Sequence, residues 1–425
     1  MRLFMLIAFL CAVITATAQT TGKVYFIRAA KLYDPEKNVF LKNLDIIVRG
    51  KKIEKTGTGL QKPAGAEEIN LANCTVTPDL IDAHTHVLTI QRMKDQLEED
   101  ILLNSDIERT LRAAGICKSF LDAGFTTIRD LGNSGQFLDL NLQRAIRNGW
   151  IEGPRMVISG PILSPEDGQF FNLASHNHFV IDHEYRVIKN AEDARQAVKD
   201  HIARGVDVIK VVMGDGRITL TLDEVKMIVQ TAHSYGVKVT AHATYDMVID
   251  RALEAGVDGI EHGYGISDSL LDKMVRKKVY LVPTIGNYDA YIRMFKDNEK
   301  ELTADELKGL RPFIERSELI VKKAISKGVM VVNGSDMYLF NKIPQGEAAK
   351  NTLDTYFEAC NNPAEVLKTA TLNAAIACGV ESFTGVIREN MTADIVAFEG
   401  DLEKDFIKSI YKVKFVMKDG QVYRR

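Results

Sequence analysis

Four histidines, one lysine and one aspartate are the residues of this sequence whose types and spacing can do chemistry. His84-Thr85-His86 places two imidazoles two residues apart. On a strand such residues point the same way, so both rings can face one metal ion. His242 ends the run Lys238-Val239-Thr240-Ala241-His242, and His262 ends Gly259-Ile260-Glu261-His262. Asp336 ends the stretch 329–336 in Gly334-Ser335-Asp336. Lys210 lies inside Val208-Ile209-Lys210-Val211-Val212, where a lone ammonium is costly to bury. Either it snorkels to solvent, or carbamylation turns it into an anionic ligand suited to a pair of divalent ions. An isolated His-x-His is weak evidence of a metal. Four histidines and an aspartate at strand ends are strong evidence if the fold brings those ends together.

The sequence between the ends alternates short β-branched runs with amphipathic segments. Eight strand-like units fall at 75–86, 126–131, 155–160, 207–213, 238–243, 259–262, 280–285 and 329–336. Helical stretches such as 106–121, 222–235 and 312–327 separate most of them. Alternating β and α implies a parallel sheet, and eight repeats predict an α/β fold closed as a (β/α)₈ TIM barrel. The strand ends of such a barrel meet on one face, where active sites sit. Both chain ends are β-rich and each is too short for a sheet of its own. They predict one small β-sandwich domain from residues 19–75 and 386–425, with the barrel spanning 76–385. The stretch 161–190 carries three histidines without clear periodicity, and a loop that long is unusual unless functional.

The chain has 425 residues, with 54 Lys+Arg against 57 Asp+Glu and a formal charge of −3. That balance argues against nucleic acid as a partner and leaves a small-molecule substrate. Homo-oligomers are compatible with it. Residues 1–18 read as a secretory signal: Arg2, then an apolar run of about a dozen residues, then Ala16-Thr17-Ala18. The expected destination is the periplasm or the exterior, with no membrane span left after cleavage. Four cysteines remain, Cys74, Cys117, Cys360 and Cys378, without a Cys-x-x-Cys pair, and they read as small buried thiols.

The order His-x-His, Lys, His, His, Asp on strands 1, 4, 5, 6 and 8 resembles the amidohydrolase superfamily. Local segments agree: Thr77-Pro78-Asp79-Leu80-Ile81-Asp82-Ala83-His84-Thr85-His86, Gly124-Phe125-Thr126-Thr127-Ile128-Arg129-Asp130-Leu131-Gly132, and Ala255-Gly256-Val257-Asp258-Gly259-Ile260-Glu261-His262-Gly263. They are similar to the branch holding metal-dependent Xaa-Pro dipeptidases and imidazolonepropionase-like proteins. The resemblance implies two divalent metal ions, zinc by the ligand types. His84 and His86 would bind the more buried ion with Asp336, His242 and His262 the other, and carbamylated Lys210 would bridge them. Asp336 would be the catalytic proton acceptor and donor around a hydroxide nucleophile. The implied activity is hydrolysis of an amide or peptide bond in a dipeptide or N-acyl amino acid. The alternative is cyclic amide hydrolysis of imidazolonepropionase type. A deaminase, or a barrel that binds without catalysis, fits the complete ligand set less well.

Departures from the pattern bear on the substrate. Asp79 stands where the branch usually has Gly, and Asp167-Gly168-Gln169 where relatives often carry Gly-Gly-His. His176, His178 or His183 compensates, or all three are solvated loop residues; His178 is the substrate contact this reading names. Tyr245, after His242, is the other. Asp215 and Arg217, in the Gly-rich loop after strand 4, are within reach of a charged substrate end.

Overall fold

The computed structural model describes residues 22–425 apart from 94, 171, 172, 215 and 217. The expected leader, Asp215 and Arg217 lie outside these residues. Seven parallel strands run in chain order: Leu80–Thr85, Phe125–Asp130, Arg155–Ile158, Val208–Val212, Lys238–Ala243, Gly259–His262 and Tyr280–Val282. All five residues of Val208–Val212 are buried, as expected of a parallel strand covered on both faces. The expected eighth unit, 329–336, forms no ladder yet bonds to both neighbours. Leu281 N donates to Met330 O (3.0 Å) and Val332 N to Leu281 O (2.9 Å). On the other side Ala83 N donates to Asn333 O (2.9 Å) and Asp336 N to His84 O (2.7 Å). These bonds join the seventh strand to the first, and the chain is a TIM barrel.

The third strand is broken. Arg155–Ile158 pairs with Phe125–Asp130, and the chain resumes as Ile162–Ser164, which meets Val208–Val212 at Leu163 and Val211. The break falls at Gly160, whose φ of +67° suits glycine; a Cβ there would lie 2.5 Å from the Phe137 ring. The stretch 161–190 is therefore not a bare loop. It holds Ile162–Ser164, the helix Phe179–Glu184 and the strand Tyr185–Val187, around a cluster including Phe170, Val180, Ile181 and Tyr185.

The outer helices follow their sequence signals. Leu222–Ser234 starts at a capping box of Thr221 and Glu224 and buries Val225, Ile228, Val229 and Ala232, one face at helical spacing. Among the described residues no helix is long and apolar enough to cross a membrane. The four described cysteines are free; Cys74, Cys117 and Cys378 are buried and Cys360 is partly exposed.

The sandwich expected from both ends is built as one hydrogen-bonded sheet of seven strands. From one edge its order is Gln421–Arg424, Val413–Lys418, Ile395–Glu399, Glu67–Pro78, Val24–Asp34, Val39–Arg49, Lys52–Gly57. Glu67–Pro78 runs three residues past the expected boundary at 75, so the seam with the barrel falls at Asp79. The Asp79 carboxylate accepts from Thr384 Oγ1 (2.9 Å), Gly385 N (3.1 Å) and Thr127 Oγ1 (3.3 Å). Burial and the neighbouring Asp394 push its pKa up. The Asp79 departure thus stitches sheet to barrel and leaves the strand-end histidines undisturbed.

Candidate metal centre

All six expected ligands line one cavity of about 190 Å³ at the C-terminal ends of the barrel strands. His84 Nε2 and His86 Nε2 are 3.2 Å apart. Asp336 Oδ1 lies 3.1 Å from His86 Nε2 and 3.5 Å from His84 Nε2. His262 Nδ1 is 3.7 Å from Asp336 Oδ2, and the His262 ring packs on those of His242 and His84 with centroids 4.4 and 5.0 Å away. Lys210 is 3% exposed, and its charge acts on His84, Glu261, His262 and Asp336, so it sits among them.

The donor set fits a metal. His84 Nδ1 lies 2.7 Å from Glu261 Oε2 and His86 Nδ1 lies 2.9 Å from the Gly132 carbonyl. A carbonyl only accepts, so the His86 Nδ1 carries a proton, and the Glu261 carboxylate demands the same of His84. Both Nε2 atoms are then left as acceptors facing each other and the Asp336 carboxylate. A cation resolves that conflict, and a second ligand on the far nitrogen is how metal-bound histidines are oriented. Ligand atoms of His84, His262 and Asp336 all lie within 4.8 Å of one another.

Burial and the neighbouring charges, the Lys210 ammonium among them, set the protonation of these groups. Burial, with the Lys210 charge, brings His84 down to about 4, so its ring is neutral at pH 7. Burial and the adjoining His242 and His84 rings hold His262 well below its ordinary value. Burial alone would raise Asp336, but His84, His86 and Lys210 hold it low and ionised. The same Asp336 outweighs burial at His86 and raises it, a proton there meeting the demand a cation would meet. Burial would also raise Glu261, yet Arg129 and His84 bring it to about 2. Arg129 NH2 lies 2.8 Å from Glu261 Oε1, and Thr240 Oγ1 donates to the same oxygen.

Backbone strain gathers here. His262, Thr284 and Asp336 have φ of +73°, +52° and +53°. Non-glycine residues rarely adopt such angles, and a β-branched threonine least of all. The turns re-aim side chains from the strand ends into the cavity: Thr284 Oγ1 meets His262 Nδ1 at 2.7 Å and the Tyr264 hydroxyl at 3.0 Å.

Two expected substrate contacts lie elsewhere. His178 is exposed at the start of Phe179–Glu184, and Tyr245 caps the helix Asp246–Ala255; neither lines the cavity. His176 is exposed as well, while His183 bonds Glu184 and Asp106 within the protein. Tyr264, Gln169, Asn133 and Tyr338 stand on the cavity wall instead. Gln169 belongs to the Asp167-Gly168-Gln169 segment that the sequence marks as a departure. Tyr264 follows His262 by two residues, the one local signal that pointed to it. A second chamber of about 420 Å³ adjoins the first and shares Tyr264, Asp336 and Tyr338 with it. Tyr291, Met294, Phe295, Met337 and Leu339 make much of its wall apolar.

Known proteins share this sequence and architecture. Ochratoxinase of Aspergillus niger is 26% identical over 340 residues, 74% of this chain and 68% of its own length. Its crystal structure superposes with a TM-score of 0.80 at 25% identity, covering 95% of this chain and 96% of that one. A Xaa-Pro dipeptidase with methionine bound in its active site gives a TM-score of 0.80 at 25% identity, covering 95% of this chain and 100% of that one. With the model of the amidohydrolase family matching residues 75–423, the chain belongs to that family and is a hydrolase acting on carbon–nitrogen bonds.

Proposed function

We propose that this protein hydrolyses the C–N bond of a dipeptide or an N-acyl amino acid at a pair of divalent metal ions, zinc by donor type. His84 and His86 with Asp336, and His242 with His262, would hold the two ions, and carbamylated Lys210 would complete the ligand set. The observation that carries this reading is the convergence of all six side chains on one cavity. Bound ions would supply hydroxide at neutral pH and polarise the scissile carbonyl.

The chain's own groups do the rest. Asp336, ionised, accepts the proton of the attacking water and returns it to the leaving nitrogen as the C–N bond breaks. Glu261 holds the His84 ring in the tautomer that points Nε2 inward. Tyr264, which lines both chambers, donates its hydroxyl to the carbonyl oxygen as charge builds on it. The larger chamber receives the apolar part of the substrate, and its size suits one side chain or a small acyl group. The similarity to a Xaa-Pro dipeptidase and an ochratoxinase supports the substrate class. Export by the leader at residues 1–18 belongs to the same reading.

The test joins metal analysis to a screen of dipeptides and N-acyl amino acids. Two metal ions per chain, cleavage of at least one substrate class, and loss of both the second ion and activity in Lys210→Ala are expected. One ion per chain with a fully active Lys210→Ala removes the bridged pair. Inertness of the metal-loaded protein towards the whole library removes the substrate class.

A further inference from the structure

A cavity of about 630 Å³, larger than either chamber at the metal centre, opens at the opposite end of the barrel. It lies between the first residues of the strands Arg155–Ile158, Val208–Val212 and Lys238–Ala243 and the terminal sheet. Five cationic side chains line it: Lys51, Arg147, Arg155, Lys238 and Lys418. Asp207 and Asp419 are the carboxylates of its lining. Arg155 already holds Asp419, at 2.7 Å. Asp207 accepts from Ile158 N (3.1 Å) and Gln143 Nε2 (2.7 Å) rather than from a cation.

Two ammonium groups are incompletely served. Lys418 is 6% exposed, and its Nζ donates to the Gly153 carbonyl at 2.6 Å. Lys238 Nζ donates to the Ile376 carbonyl. Neither has a carboxylate within 4.0 Å among the described residues. An ammonium has three protons to donate, so each keeps donors for a ligand. Lys418 also stands 5.5 Å from the Tyr423 ring centroid and feels the Asp419 and Asp394 charges, yet burial outweighs them and lowers its pKa, so the desolvated cation is incompletely compensated. An anion would offset that cost. Phe383, Tyr423, Val380 and Ile146 complete the wall with apolar surface.

We propose that this cleft binds a small organic oxyanion, a carboxylate or phosphate ester on an apolar body, which clamps the barrel base to the terminal sheet. The site is separate from the metal centre, since the residues that start these strands lie at the far end of the barrel from the cavity at the strands' C-terminal ends, where His242 sits. The proposal does not depend on which bond the enzyme cleaves.

The test uses the full chain with its metals. Thermal unfolding is followed in sulfate against chloride at equal ionic strength, for wild type, Lys238→Gln and Arg147→Gln. The general salting effect of sulfate is common to all three and cancels. Titration calorimetry then compares phenyl phosphate with benzoate. The proposal expects a sulfate-specific rise in Tm that each variant reduces. It also expects binding of at least one organic anion, weakened about tenfold in the variants, as loss of a charged hydrogen bond implies, with hydrolysis unchanged. Preference for phenyl phosphate assigns a phosphate ester and preference for benzoate a carboxylate. Arg147 is exposed, so Arg147→Gln keeps the test alive if Lys238→Gln fails to fold. Equal responses of the three proteins to sulfate and to both organic anions would overturn the site.

Discussion

Glu261 Oε2 lies 2.7 Å from His84 Nδ1, while the other oxygen of the same carboxylate lies 2.8 Å from Arg129 NH2. One buried carboxylate therefore fixes the tautomer of a metal ligand and neutralises a guanidinium in the middle of the barrel.

Replacing Glu261 with Gln should strike both roles. Metal affinity is expected to fall about 10- to 100-fold, as for other partners of metal-bound histidines. Stability should fall by about 3–5 kcal/mol, because Arg129 is left with an uncompensated buried charge. Metal titration and denaturant unfolding check the two effects separately. Wild-type metal affinity in a folded Glu261→Gln protein would show that the His84 tautomer is set by something else.

Tyr264→Phe removes a hydroxyl that lies 3.0 Å from Thr284 Oγ1 and 3.2 Å from His262 Nδ1, while Thr284 Oγ1, 2.7 Å from His262 Nδ1, keeps that ring oriented without it. Its metal content should match wild type, and kcat is expected to drop about 100-fold, the scale of a lost donor to a developing oxyanion. Steady-state kinetics beside metal analysis decides it: an unchanged kcat removes Tyr264 from the chemistry.

Gly334 precedes Asp336 by two residues, and a Cβ there would sit 2.4 Å from Val282 Cγ1 and 2.8 Å from His84 Cβ. Gly334→Ala must push His84 or the strand beside it. A displacement of about 1 Å can cost 100-fold in rate, so activity should collapse while the protein stays folded. Circular dichroism and kcat/KM measured together test this, and near-normal turnover would mean the barrel absorbs the methyl elsewhere.

Lys350 is fully buried, its Nζ bonded to the Ile410 carbonyl at 2.7 Å and set 5.3 Å from the Phe398 ring. Burial brings its pKa down from 10.5 to about 7, although the Glu347 and Asp354 carboxylates oppose the shift. The folded chain sheds this proton near pH 7 and the unfolded chain keeps it to about 10.5. The residue therefore costs most stability below pH 7, and stability recovers as pH rises across that interval. Lys350→Met should accordingly be more stable than wild type at pH 6, with the advantage shrinking towards pH 10. Unfolding curves at several pH values measure it; a constant difference refutes the assignment.

The residues that converge on the cavity were legible because each ends an apolar run, and the barrel converts that one-dimensional regularity into proximity. His84, His86, His242, His262 and Asp336 needed no loop geometry to be found. Lys210 was legible as an anomaly, a cation inside Val208–Val212. The opposite wall was not readable. Gln169 and Tyr338 reach the cavity from segments without periodicity, and Tyr264 arrives through turns strained at His262 and Thr284. His178 and Tyr245 were plausible by position and are carried away from the cavity by the helices they begin. The break in the third strand at Gly160 escaped notice because half of that strand sits inside the stretch that looked like a loop. The seam at Asp79 was invisible because strand pattern runs unbroken from the sheet into the barrel.

The seven-stranded sheet also sets the timetable of folding. Its strand Glu67–Pro78 pairs with Ile395–Glu399, and Lys31 grips Asp401 across 370 residues of sequence. The early half of the sheet keeps an open edge until Ile395–Glu399, from near the chain's end, pairs with it. Contacts so distant in sequence are slow to form. The barrel can thus assemble first, and closure of the sheet is the late event that locks beginning to end.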